Sequence, residues 1–265
     1  MATMSKHVSA LFNLTGQTAL ITGGSRGLGL QIAQSLGEAG ASVTLTARKK
    51  DELKAAAEHL NSHGISTHIV AADASDPEQI VKICEEAVTA FGHINILVNN
   101  AGASWAAPAE EHPLEAWDKV MNLNVRSVFL MSQAVANASM IDRGQGRIIN
   151  LASIAGLAGS MEAKFIAYGT SKGAVVNFTR TLAAEWGKYG INVNAIAPGF
   201  FPSKMTRGLI SELGADTMAS RVPLQRLGDD DDLKGAALLF ASEAGKHITG
   251  QILAVDGGAS AVVPV

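Results

Sequence analysis

Several things are scarce in this sequence. Among 265 residues there is one cysteine, Cys84. A single thiol excludes an intramolecular disulfide, a CxxC redox pair and any cysteine-rich zinc site. No apolar run approaches the 18 or more residues a membrane helix needs. At the N-terminus, Lys6 is followed only by the short stretch Val8 to Phe12, interrupted by Ser9, which is too weak for a secretory core. A cytoplasmic protein is expected. Basic excess is also missing: 21 Lys and Arg stand against 24 Asp and Glu, a net charge of −3. Nucleic acid and membrane are therefore not expected partners. Aromatics are 5% of the chain and only two are tyrosines, so each tyrosine is conspicuous.

What is abundant is apolar residues, 47%, and glycine, 27 in number. That composition describes a globular chain. Short β-type runs alternate with longer helical patterns. Thr18–Thr22, Ser42–Thr46, Thr67–Ala71, Ile94–Asn99, Arg147–Ser153, Asn192–Ala197 and Gln251–Val255 read as strands. Most are continuous apolar runs, as expected of strands covered on both faces. Helical patterns cover Leu28–Ala39, Lys50–His63, Pro77–Phe91, Leu114–Ala138, Lys164–Tyr189 and Asp231–Ala241. Regular β-α-β alternation predicts an α/β, doubly wound Rossmann-type fold around a seven-stranded parallel sheet. These elements consume nearly the whole chain, so one catalytic domain over 14–265 is expected, preceded by a flexible extension over 1–13.

The first strand runs into Thr22-Gly23-Gly24-Ser25-Arg26-Gly27-Leu28-Gly29 and then a helix. A backbone without Cβ can approach a pyrophosphate, and the helix start offers free N–H groups and partial positive charge. The spacing is Gly-x3-Gly-x-Gly rather than GxGxxG. The flanking strand and helix favour phosphate binding over a plain glycine turn. After the second strand stands Thr46-Ala47-Arg48-Lys49-Lys50, with no acid until Asp51. A cation suits the 2′-phosphate of NADP(H), and an acid would suit the ribose hydroxyl of NAD(H). Arg48 can fork onto a phosphate, with Arg26 approaching from the glycine loop. The expected cofactor is NADP(H). Asp73 can accept from an adenine amine or serve as a turn residue before Pro77.

Tyr168 precedes Lys172 by four residues within a helical pattern, so phenol and ammonium share a face. A nearby cation is expected to lower the tyrosine pKa. With twelve lysines in the chain, the pair alone is weak. Ser153, at the carboxyl end of the fifth strand, strengthens it, because ligands gather there and a hydroxyl can bond a substrate carbonyl. The alternative for Ser153 is a cap or turn.

Taken in order, Thr22–Gly29, Asn99-Asn100-Ala101-Gly102, Ser153 with Tyr168-x3-Lys172, Pro198-Gly199, Ile248-Thr249-Gly250-Gln251 and Val255-Asp256-Gly257-Gly258 resemble the short-chain dehydrogenase/reductase family over nearly the whole length. The family places an asparagine in the helix before the fifth strand. Asn122 and Asn124 compete for that place, and the family pattern around Asn124-Val125-Arg126-Ser127-Val128-Phe129 selects Asn124. The resemblance implies that Tyr168 donates the proton, Lys172 holds the nicotinamide ribose, Ser153 polarises the carbonyl and Asn124 anchors a water leading from Lys172 to solvent. It implies cofactor contacts from Gly23, Ser25, Arg26, Gly27, Leu28, Gly29, Arg48, Lys49, Asp73, Ala74, Asn100, Ala101, Gly102, Tyr168, Lys172, Pro198, Gly199 and Met205. It also implies pairing of subunits through Leu114–Ala138 and Lys164–Tyr189, hence a homotetramer or homodimer.

The stretch Ala197 to Thr206 and Ser104-Trp105 resemble reductases close to 3-oxoacyl-carrier-protein reductases. Ser104, Trp105, Met161, Phe165, Phe200, Phe201 and Met205 are expected to form an apolar substrate pocket, with Lys204 and Arg207 as candidates to meet a phosphate of a carrier. The expected activity is NADPH-dependent reduction of a 3-oxoacyl or related ketone. Oxidation of a secondary alcohol or sugar acid is the alternative, and a non-catalytic nucleotide-sensing scaffold a second. No metal is expected: His59 and His63 read as solvent-exposed residues at a helix C-terminus, and Asp229 to Asp232 as the cap of the helix that follows. Cys84 reads as a small core residue.

Overall fold

The computed structural model describes residues 6–159 and 164–262. Its centre is one sheet of seven strands: β1 Thr18–Thr22, β2 Ser42–Ala47, β3 Thr67–Ala71, β4 Ile96–Asn99, β5 Gly146–Leu151, β6 Ile191–Pro198 and β7 Ile252–Val255. Every pairing is parallel, in the order β3-β2-β1-β4-β5-β6-β7. The order reverses between β1 and β4, so the strand carboxyl ends splay into a crevice there. The chain therefore has the expected single-sheet doubly wound fold.

The helices are α1 Val8–Leu11, α2 Gly27–Glu38, α3 Lys50–Ser62, α4 Pro77–Phe91, α5 Leu114–Met121, α6 Ser127–Val135, α7 Ile166–Trp186, α8 Arg207–Leu213, α9 Ala215–Ser220 and α10 Lys234–Ala241. Strand alternation sorts the core into two layers. Ala19 and Ile21 of β1, with Ile96 and Val98 of β4, face Ile32 and Leu36 of α2, Leu53 and Leu60 of α3 and Phe240 of α10. Leu20 and Leu97 point the other way, onto Ile80 and Ile83 of α4, Met131 and Val135 of α6 and Leu182 of α7. Both faces of the sheet are thus dry, which is why its strands read as unbroken apolar runs. Among the described residues no helix is long and apolar enough to cross a membrane.

Local signals set several ends. Asp76 caps α4 by accepting from the Glu78 N–H at 3.0 Å, Pro77 occupies the first turn, and Gly92 ends the helix at φ 81°, as cap and glycine chemistry dictate. Two expectations need correction. The helix read as Leu114–Ala138 is interrupted by π turns at Asn122–Arg126 and Ala136–Met140. The first of these turns Asn124 fully inward, and a helical periodicity cannot show such an insertion. The Asp229–Asp232 run does not cap α10 with a side chain. Asp232 instead receives a bidentate Arg226 guanidinium at 2.5 and 2.7 Å, and Asp231 pairs with Lys234 at 3.0 Å. Helices α8 and α9, between β6 and α10, were not anticipated. In the N-terminal stretch read as an extension, the described residues carry the one-turn helix α1, with no buried residue.

Candidate active site

The carboxyl ends of β1, β4, β5 and β6 open onto a groove of about 1150 Å³. The glycine loop forms one wall. Asn100 holds it from β4: its Nδ2 donates to the carbonyls of Thr22 at 2.9 Å and Gly23 at 3.0 Å, while Thr22 Oγ1 accepts from the N–H groups of Asn100 and Ala101, both at 3.0 Å. Gly23, Ser25, Arg26, Gly27 and Leu28 line the groove. Gly29 does not; a Cβ there would lie 2.5 Å from the Gly23 carbonyl oxygen. The missing Cβ lets α2 pack close under the loop. The N-cap of α2, Arg26, makes no side-chain capping bond, and a helix start that lines a groove offers it N–H groups and partial positive charge.

Arg48 and Lys49 line the same end, as do Asp73 and Ala74. Asp73 Oδ1 accepts from both the N–H and the hydroxyl of Ser75, at 2.9 and 2.7 Å, so the turn role is filled whatever else it does. An acid that the sequence reading passed over joins the cations: Glu52, in the first turn of α3, pairs with Arg26 and with Lys49 at 3.2 Å. Hydrogen bonding from Lys49 holds its carboxyl below the usual range, with Arg26 and Lys204 adding attraction. The groove's donors and positive charges fit a phosphorylated dinucleotide.

The far end of the groove carries Ser153, Tyr168 and Lys172. Ser153 follows β5 and its Oγ accepts from the Ala155 N–H at 3.1 Å, so it does cap a turn while facing the groove. That turn presses on α7: a Cβ on Gly156 would lie 2.5 Å from the backbone carbon of Lys172. The close approach brings the serine beside Tyr168. Burial pushes the Tyr168 phenol above its ordinary pKa, and a hydrogen bond with Ser153 pulls the other way. The lowering by Lys172 expected from helical spacing is not what this arrangement gives. The ammonium sits 5.6 Å from the ring centre and donates to the Leu151 carbonyl at 2.6 Å. Lys172 is 5% exposed, and burial takes its pKa down to about 8, because a dry interior disfavours the charged form.

Asn124 is fully buried, whereas its rival Asn122 is exposed. Its Oδ1 accepts from the Ala103 N–H at 2.8 Å, and its Nδ2 donates to the Ala103 carbonyl and to Ser171 Oγ, both at 2.9 Å. The π turn thereby ties the loop after β4 to the helix that carries Lys172. Beneath the site, Asn99 Nδ2 donates to Ser132 Oγ at 3.0 Å and Asn150 Oδ1 at 2.9 Å, and Asn150 Nδ2 to Thr179 Oγ1 at 3.0 Å. This satisfied polar chain fixes β4 and β5 to the helices below.

Of the expected pocket residues, Ser104 lines the groove and Phe165 lies edge-on to the Tyr168 ring at 6.4 Å. Trp105 is 45% exposed and does not line it. Met161 falls outside the described residues. Phe200 does not line the groove; its neighbour Phe201, 4% exposed, does, since adjacent residues leaving β6 point to opposite sides. Pro198, Gly199 and Met205 line it as expected, together with Lys204 and Arg207. The His59 and His63 rings meet at a tilt of 50°, 4.6 Å between centres, and no cluster suited to a metal exists among the described residues. Cys84 is buried.

The family model of the short chain dehydrogenases matches residues 17–213. This chain belongs to the short chain dehydrogenase family. It is similar to a gluconate 5-dehydrogenase of Gluconobacter oxydans, 38% identical over 94% of this chain and 96% of the relative. It is as similar to a rhamnolipids biosynthesis 3-oxoacyl-[acyl-carrier-protein] reductase of Pseudomonas aeruginosa, 39% identical over 93% and 97%. A crystal structure of a gluconate 5-dehydrogenase from Burkholderia cenocepacia in complex with NADP and tartrate superposes with a TM-score of 0.91, at 36% identity, covering 97% of this chain and 100% of the other. The short chain dehydrogenase described here is thus an oxidoreductase of CH–OH and C=O groups. The expected cofactor, NADP(H), agrees with the cation-lined groove. The relatives divide between sugar acids and acyl carriers, so they do not favour the 3-oxoacyl reading over its alternative.

Proposed function

We propose that this short chain dehydrogenase reduces a ketone carbonyl, 3-oxoacyl or related, to a secondary alcohol with NADPH. The observation that carries the reading is one groove with cations at one end and Ser153, Tyr168 and Lys172 at the other. Gly23, Ser25 and Gly27 would cradle the pyrophosphate, Arg26, Arg48 and Lys49 the 2′-phosphate, Asp73 and Ala74 the adenine side, and Asn100 to Gly102, Pro198, Gly199 and Met205 the nicotinamide half. When bound, the cofactor supplies the hydride.

The chain's own residues do the rest. The Ser153 hydroxyl orients and polarises the carbonyl. Tyr168, kept protonated by burial, is the acid that delivers a proton to the carbonyl oxygen. Lys172, charged at neutral pH with a pKa of about 8, supplies positive potential beside the phenol and a hydrogen bond to the ribose. Asn124 holds Ala103 and Ser171 and anchors a water that reprotonates through Lys172. Phe165, edge-on to the Tyr168 ring, gives the proton donor an apolar neighbour, which helps exclude competing water.

A second reading, oxidation of a secondary alcohol in a sugar acid, is favoured by the gluconate dehydrogenases among the relatives. One screen separates the two. NADPH oxidation with acyl thioesters, β-ketoesters, diketones and keto-sugars is run beside NADP⁺ reduction with sugar acids. Turnover of 3-oxoacyl thioesters at the highest kcat/KM supports the first reading. Turnover confined to sugar acids overturns it.

A further inference from the structure

The cations offered to a 2′-phosphate are not free. Glu52 stands among them with one carboxylate oxygen on Arg26 and the other 3.2 Å from Lys49. These two cations come from different walls of the groove, the glycine loop and the turn between β2 and α3. Lys204, from the segment after β6, attracts the same carboxylate. Arg48 has no carboxylate partner of this kind among the described residues, although it lines the same end. The chain thus carries its own anion in the place where a phosphate would find its partners, on a side chain only one-third exposed.

We propose that Glu52 is a built-in counter-anion that occupies Arg26 and Lys49 when no 2′-phosphate is bound, competes with that phosphate for them, and so sets the discrimination between NADPH and NADH. This rests on the NADPH reading above. Two physical consequences follow. An arriving phosphate dianion must take Arg26 and Lys49 away from a carboxylate that then remains beside it as a like charge. The groove, held together by one acid and several bases, keeps its cations in place without needing a ligand. A cofactor lacking the 2′-phosphate disturbs none of these pairs. Glu52 therefore narrows the gap between the two cofactors by opposing the phosphate alone. With one unit charge removed near a solvent-screened phosphate, the expected gain in phosphate affinity is about five- to tenfold.

The test reads binding, not turnover. Adenosine 2′,5′-bisphosphate and 5′-AMP, which differ only in the 2′-phosphate, are titrated calorimetrically into the wild-type chain, Glu52→Gln and Glu52→Asp. The proposal expects Glu52→Gln to bind the bisphosphate about five- to tenfold more tightly, with 5′-AMP changed less than about twofold. Glu52→Asp, which keeps the charge, should stay within about twofold of wild type for both. Unchanged or weaker bisphosphate binding by Glu52→Gln, or an equal shift for both ligands, overturns the proposal. Should the wild-type chain itself fail to prefer the bisphosphate over 5′-AMP, the NADPH reading falls first and takes this one with it.

Discussion

Replacing Lys172 by methionine isolates what burial of its ammonium costs the fold. The side chain is 5% exposed and donates a hydrogen bond to the Leu151 carbonyl. Burial lowers its pKa from 10.5 to about 8, a difference worth about 3 kcal/mol at 1.36 kcal/mol per pKa unit. The sign follows from linkage. The folded pKa lies below the unfolded one, so between them the unfolded chain binds more protons. The penalty is complete below pH 8 and is relieved as pH rises from 8 towards 10.5. Methionine has no charge to desolvate and no such term, and all other groups cancel in the difference between the two proteins. Urea unfolding of wild type and Lys172→Met, without cofactor and at one protein concentration, should therefore show wild type gaining about 2.5 kcal/mol relative to the variant between pH 7 and pH 10. Because Lys172 is proposed to act while charged, kcat/KM for ketone reduction should fall above about pH 8. A stability difference constant to within about 0.5 kcal/mol over that interval would refute the burial argument.

Other consequences are as open to measurement. Arg48→Glu should weaken NADPH binding at least tenfold while changing NADH less than threefold, read by fluorescence titration; equal losses would contradict the phosphate role. Asn150→Ala removes the middle of the buried Asn99–Asn150–Thr179 chain and should lower unfolding free energy by about 1–3 kcal/mol, seen as a shifted urea midpoint. A loss under about 0.5 kcal/mol would show that the network is not needed. Leu114, Phe129 and Ile166 stay exposed on α5, α6 and α7, the helices expected to pair subunits. Light scattering should give about four times the 27.4 kDa chain mass, and a mass near one chain would remove the tetramer.

The sheet was legible because both its faces are dry: Leu20 and Ile21 point to opposite layers, yet both are fully buried, and the strand reads as an apolar run. The grouping of Ser153, Tyr168 and Lys172 on one groove was legible because they sit at a strand end and at helical spacing, both local patterns. What stayed hidden is tertiary. Glu52 meets Arg26 from 26 positions away, one turn inside α3, beyond the strand end where cofactor preference is usually read. The π turn that buries Asn124 inserts a residue without changing composition. Phe200 and Phe201 read alike in sequence, and the path of the chain leaving β6 decides that Phe201 is the one buried. The raised Tyr168 pKa is hidden for a related reason: spacing shows that a lysine is near, but not that both groups are buried, and burial is the larger effect.

In the proposed reaction Tyr168 delivers the proton in a groove that binds NADPH independently of it. The most direct measurement pairs NADPH binding with NADPH oxidation, at saturating ketone, for wild type and Tyr168→Phe. The account predicts a loss of at least about a thousandfold in kcat, with the NADPH dissociation constant within about threefold of wild type. Turnover by Tyr168→Phe within tenfold of wild type would contradict it.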